Sequence, residues 1–136
     1  MSGESTGIKA EFKQGYIVQE FGYDEDIDFQ FRDSIQGITG ENLEDEDYRG
    51  IADVVLAWWR SDDGDVEDLA DYLMDGAASL ESGSGSIFLV VPDRESPYQV
   101  AAADIDEAAK LAGQSVTTTF SLHSGWTAFH ITARGF

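Results

Sequence analysis

Apolar residues occur in short blocks along the chain, and their spacing changes from block to block. Tyr16 to Phe21 holds Ile17 and Val18 and stops at Gly22, which predicts a short strand. Ile27, Phe31, Ile35 and Ile38 follow at helical spacing, with Asp24-Glu25-Asp26 ahead of them and Gly40 where a C-cap belongs. The alternation of Ile27, Phe29 and Phe31 is also compatible with a strand, so residues 26–38 carry two readings, of which the helix fits more positions. Ile51 to Trp59 is nearly continuous in apolar side chains, the pattern of a strand covered on both faces. Ser61-Asp62-Asp63 offers N-cap residues for a helix whose inner face is Val66, Leu69, Ala70, Leu73, Ala77 and Leu80. Ser86 to Val91 is a second covered strand. Val100 to Ala112 is a helix stopped by Gly113. Val116–Leu122 and Trp126–Thr132 flank His123-Ser124-Gly125 as a hairpin.

Strands alternating with helices predict an α/β fold: three layers, a mostly parallel sheet of small Rossmann or methyltransferase-like type, and an antiparallel C-terminal hairpin. The 136 residues suit one domain, placed at 15–136. Residues 1–14 show no periodicity and are expected to form a flexible tail. The chain has no cysteine, no apolar run long enough for a membrane helix and no basic, apolar leader, so a soluble cytoplasmic protein is expected.

Charge narrows the functional classes. There are 27 acidic residues against 8 Lys and Arg, for a net charge of -19. Nineteen of those acids lie between Glu20 and Asp75, against only Arg32, Arg49 and Arg60. Direct binding to nucleic acid or to an anionic membrane needs the opposite sign. The acidic clusters Glu44-Asp45-Glu46-Asp47 and Asp62-Asp63, with Tyr48 as an exposed anchor, form a candidate face for a protein partner, favouring a basic one.

Ligands of open α/β sheets bind beyond the carboxyl ends of the strands. Those ends carry Gly22 and Tyr23, then Trp59 and Arg60, then Pro92, Asp93 and Arg94, the residues of a candidate ligand crevice. Trp58 and Trp59 form a flat platform there only if both face the ligand; successive strand residues should instead point to opposite layers. No G-x-G-x-x-G and no G-x-x-x-x-G-K-[ST] is present, and three carboxylates after Gly22 would repel phosphate. Gly37-Ile38-Thr39-Gly40 has no basic flank to serve RNA. Asp24, Asp26 and Asp28 begin like a calcium loop, but Phe29 and Ile35 stand where that loop needs Gly and Glu. His123 and His130 have no partner fixed by spacing. No catalytic residue, metal or cofactor is therefore assigned.

Taken in order, Val18-Gln19-Glu20-Phe21-Gly22-Tyr23-Asp24-Glu25-Asp26, Asp45-Glu46-Asp47-Tyr48, Ala52 to Arg60, Asp62-Asp63-Gly64-Asp65, Phe88 to Pro92 and Ser124-Gly125-Trp126 resemble the actinobacterial family known as domain of unknown function 3052. The resemblance covers about residues 16–133, with Phe21 and Tyr23 where Leu and Trp are expected. It implies a single α/β domain similar to the sheet core of methyltransferase-like folds, without a recognisable cofactor loop, and it brings no catalytic residue. Two functions are open: a non-catalytic binding or regulatory module that docks a protein, and a nucleoside-cofactor binder or degenerate methyltransferase-like domain. An acidic mimic of nucleic acid is a third, weaker reading.

Overall fold

The computed structural model describes residues 7–81, 85–122 and 124–133. Five strands, β1 (Val18–Phe21), β2 (Val54–Trp58), β3 (Ser86–Pro92), β4 (Gln114–Ser121) and β5 (Trp126–Ala133), form one sheet in the order β1-β2-β3-β5-β4. β1, β2 and β3 run parallel, while β5 is antiparallel to both β3 and β4. The sheet is thus mixed, not mostly parallel as expected: two strand pairings are parallel and two antiparallel. The C-terminal hairpin is antiparallel as expected, joining β3 through β5 and placing β4 at the far edge. Glu44 forms a parallel bridge to Gln19 on the outer side of β1, with Glu20 N–H donating to Glu44 O at 2.8 Å and Glu44 N–H to Val18 O at 2.9 Å.

Three helices with both ends among the described residues flank the sheet, α1 (Phe29–Thr39), α2 (Val66–Ala77) and α3 (Ala102–Leu111), and residues 7–9 are also helical. The helical reading of residues 26–38 holds, but α1 starts at Phe29 because Asp28 caps it, its carboxylate accepting from Phe31 N–H at 3.0 Å. Gly40, at φ 75°, closes the helix in the left-handed region that favours glycine. α2 is capped by Asp65 and Asp68, each accepting from the other's backbone N–H, rather than by Ser61-Asp62-Asp63, which form a short 3-10 turn.

Alternate residues of the central strands feed two clusters, as a period of two requires. Val54, Leu56, Trp58, Phe88 and Val90 meet Phe31 and Ile35 of α1. Val55, Ala57, Trp59, Ile87, Leu89 and Val91 meet Leu69 and Leu73 of α2 and Ile105 and Ala108 of α3. The two neighbouring tryptophans accordingly belong to different clusters and make no common platform.

The expected tail is corrected in part. Ile8 and Phe12 are buried in the first cluster, Phe12 packing 5.4 Å from the Phe88 ring. Hiding two such side chains contributes roughly 1.5–3 kcal/mol each, enough to hold this segment down. Residues 1–6 lie outside the described residues, as does His123.

Candidate functional site

From β1 the chain passes through α1 to Glu44 on one side of the strand, then returns to β2 on the other. The Glu44 bridge makes the chain cross to both sides of β1 in turn, and the carboxyl ends of β1 and β2 are where this architecture places ligands. Gly22 sits at that point with φ 75°. A Cβ there would lie 2.2 Å from Trp58 O and 2.5 Å from the Tyr72 hydroxyl, so glycine is required by space as well as by backbone. Tyr72 itself donates to Trp58 O at 2.8 Å, and burial pushes its phenol well above the ordinary range.

The protein's own side chains fill this switch point. Arg60 Nη1 donates to Gly22 O at 2.8 Å. Its Nε and Nη2 donate to the two oxygens of Asp26 at 3.1 and 2.5 Å, and the guanidinium lies 5.5 Å from the Trp126 ring centroid. The Gly22 N–H donates to Glu46 Oε2 at 2.9 Å. Both polar groups of the glycine are therefore engaged internally. Hydrogen bonding from Arg60 holds the Asp26 carboxyl below the usual carboxylate range; burial disfavours the Arg60 charge, but Asp26 more than offsets it.

A second network lies beneath α1. Glu20 is buried, accepts from Arg32 Nε with both oxygens at 3.0 Å, and accepts from Trp58 Nε1 at 2.9 Å. The Arg32 guanidinium also covers the Tyr23 ring at 5.2 Å. Tyr23 packs edge-on against Phe29 at 5.9 Å, yet the two rings remain 53% and 41% exposed. A shallow depression beside them is lined by Glu20, Tyr23, Arg32, Asp45, Glu46 and Asp47.

The seven crevice residues expected from the sequence are dispersed over this end of the sheet. Gly22 and Arg60 touch, and Tyr23 stands on the adjoining rim. Trp59 turns to the opposite cluster, 4.8 Å from the Tyr72 ring, and borders a separate cavity of about 190 Å³ with Val66 and Val100. Pro92 is buried, Asp93 accepts from the Thr127 hydroxyl, and Arg94 is exposed beside them. Among the described residues, Trp59 and Arg94 line different depressions, Trp59 that with Val66 and Val100 and Arg94 one with Asp93, Glu95 and Thr127.

Of the acidic residues the sequence singled out for a partner face, Arg60 links two, Asp63 directly and Glu46 through Gly22. Its backbone N–H donates to Asp63 at 2.9 Å, while its side chain reaches Gly22, whose amide reaches Glu46. Asp45, Glu46, Asp47, Asp62 and Asp63 are exposed; Glu44 is half-buried as a bridge residue. Tyr48 is half-buried rather than an exposed anchor, and lines a cavity of about 390 Å³ with Gln19, Phe21 and Asp75. Sequence reasoning missed Glu20 and Arg32; the spacing Glu20-x-Gly22 at a strand end was the available signal. Asp24, Asp26 and Asp28 do not converge as metal ligands, since Asp26 pairs with Arg60 and Asp28 caps α1. Among the described residues no group of three or more His, Asp or Glu could hold a metal ion, and no helix is long and apolar enough to cross a membrane.

Residues 8–135 match a family described as "Protein of unknown function (DUF3052)". Uncharacterised proteins of Mycobacterium bovis and Mycobacterium tuberculosis are 38% identical over 93% of this chain and 83% of their own length. Among solved structures, the pyocyanin biosynthetic protein PhzM is similar with a TM-score of 0.70 and 10% identity, over 96% of this chain and 54% of that one. The O-methyltransferase NcsB1 from neocarzinostatin biosynthesis gives 0.68 and 13%, over 96% and 54%. A TehB-like SAM-dependent methyltransferase from Corynebacterium glutamicum gives 0.57 and 14%, over 98% and 89%. The chain spans about half the length of the first two; at these identities the likeness is one of fold.

Proposed function

The chain belongs to the DUF3052 family of proteins of unknown function, and from that premise we propose that it is a binding module that docks a basic protein partner at the carboxyl end of its sheet. The fold is one that methyltransferases also use. The observation that carries the proposal is the closure at Gly22: its carbonyl is held by Arg60, its amide by Glu46, and Arg60 is anchored by Asp26. A nucleoside cofactor would have to displace a charge-assisted network to reach that backbone. Immediately outside the closure, Tyr23 and Phe29 project as an aromatic pair among the exposed carboxylates of Asp24, Glu25, Asp45 and Asp47. Rigid aromatics inside a charged rim supply anchor and steering together for a positively charged segment.

The second reading, a nucleoside-cofactor binder of degenerate methyltransferase type, is supported by the fold of the neighbours and by Glu46, which lies 24 residues beyond Gly22 and already touches its amide. Carboxylates in that relation accept from ribose hydroxyls in dinucleotide folds. Thermal melts with S-adenosylmethionine separate the two. Docking predicts an unchanged melting temperature; cofactor binding predicts about 2.7 kcal/mol of added stability at 100 times the dissociation constant. In parallel, a partner isolated on the wild type at low salt should be lost in Tyr23→Ala/Phe29→Ala and released by salt. Equal retention by that variant would sink the docking proposal.

A further inference from the structure

We propose that Ser86, His130 and Thr117 form a nucleophilic relay able to accept an acyl group from a small ester, at the end of the sheet opposite Gly22. Ser86 opens β3 and His130 lies on the neighbouring β5. His130 Nε2 is 2.8 Å from Ser86 Oγ, and His130 Nδ1 is 2.9 Å from Thr117 Oγ1. Thr117 spends its own hydroxyl proton on His130 O, at 3.2 Å. Its oxygen can then accept from the Nδ1–H tautomer of the imidazole, the form the relay assigns, in which the Nε2 lone pair faces the Ser86 hydroxyl. Nucleophile, base and orienting group are thus arranged in the order that activates a serine.

Thr117 reaches the ring because of a defect in the ladder. Val116 stands opposite Ile131 and Thr118 opposite His130, so Thr117 is the extra residue of a β-bulge. Bulges re-aim side chains, and this one supplies the hydroxyl that fixes the histidine tautomer. Phe88 stacks on the imidazole at 4.8 Å with 15° between planes and fixes its tilt. Burial lowers the proton affinity of His130, against an opposing pull from Glu11, and so keeps the ring available as a base. Ser86 borders an open cavity of about 450 Å³, room for a short acyl chain, whose wall carries Tyr16, the Lys13 cation and the carboxylates of Glu11, Asp53 and Glu81.

The step is a transesterification. Ser86 Oγ bonds to the ester carbonyl carbon as its proton passes to His130 Nε2. The carbon–oxygen bond to the leaving alcohol breaks, and that alcohol departs with the proton. Water then attacks the acyl-serine, His130 takes its proton and returns one to Ser86 Oγ, and a carboxylic acid is released with no change of oxidation state.

The test uses the full chain with 4-nitrophenyl acetate and, separately, an alkyl fluorophosphonate, with the modified residue located by peptide mass spectrometry. One adduct on Ser86 is expected, absent in Ser86→Ala. Its rate should fall 100-fold or more in His130→Gln, the scale of general base catalysis. Thr117→Val should slow it about tenfold, with recovery in Thr117→Ser; this exposed position keeps the test decisive should His130→Gln fail to fold. No adduct on Ser86, or labelling at the wild-type rate in the Thr117→Val variant, would overturn the relay.

Discussion

Glu20 is the residue on which the face under α1 depends. One buried carboxylate there neutralises Arg32 and satisfies the indole N–H of the fully buried Trp58. Removing it strands a cation and a buried donor at once. Glu20→Leu should cost roughly 3 kcal/mol, the low end for breaking a buried pair because Arg32 keeps some contact with water. Urea denaturation measures this directly. The double variant Glu20→Leu/Arg32→Leu should recover part of the loss, since no charge is then left unpaired. Neither partner was identifiable from the sequence as a site residue. Glu20 reads as one acid among 27, and Arg32 sits 12 residues away on another element, so only folding reveals the pairing.

At the scale of elements, α1 shows what local pattern can and cannot fix. Phe31, Ile35 and Ile38 sit at helical spacing because that face joins the cluster built on β1, β2 and β3, and this was legible, whereas Ile27 precedes the cap and reaches the same cluster from outside the helix. The start was not: Asp24, Asp26 and Asp28 are each acceptable near a helix N-terminus, and only the Arg60 contact to Asp26 leaves Asp28 as the cap. Asp28→Ala should cost about 1 kcal/mol in a chemical melt, as loss of an N-cap does, while Asp28→Ser should keep most of it. β2 and β3 were the most legible elements, since strands covered on both faces must be apolar at every position. The bridge at Glu44 and the bulge at Thr117 were not, because a single paired residue or a single extra one leaves no periodic trace. The segment holding Ile8 and Phe12 escaped for a related reason: two apolar residues four apart among Gly, Lys and Glu are too few to define a face.

For the whole molecule the dominant fact is charge. Ion pairs among the described residues involve Arg32 and Arg60 and engage Glu20, Asp26 and Asp63. Most carboxylates between Glu20 and Asp75 therefore take part in no ion pair among the described residues, and their like charges repel. Raising the salt from 0.01 to 0.15 M shortens the screening distance from about 30 to about 8 Å and should raise the melting temperature. A curve that stays flat with salt would show that these carboxylates do not strain the fold.

The bulge at Thr117 also bears on how the molecule behaves in company. Glu44 already occupies the outer hydrogen-bonding side of β1, which leaves β4 as the rim without a strand neighbour among the described residues. A threonine-rich extended rim invites a neighbour to zip on alongside it, the first move toward aggregation. An extra residue in its middle throws the donors and acceptors out of step. A second molecule laid alongside β4 would lose its register there, so the kink that turns the Thr117 hydroxyl toward His130 also keeps one copy from growing onto the next.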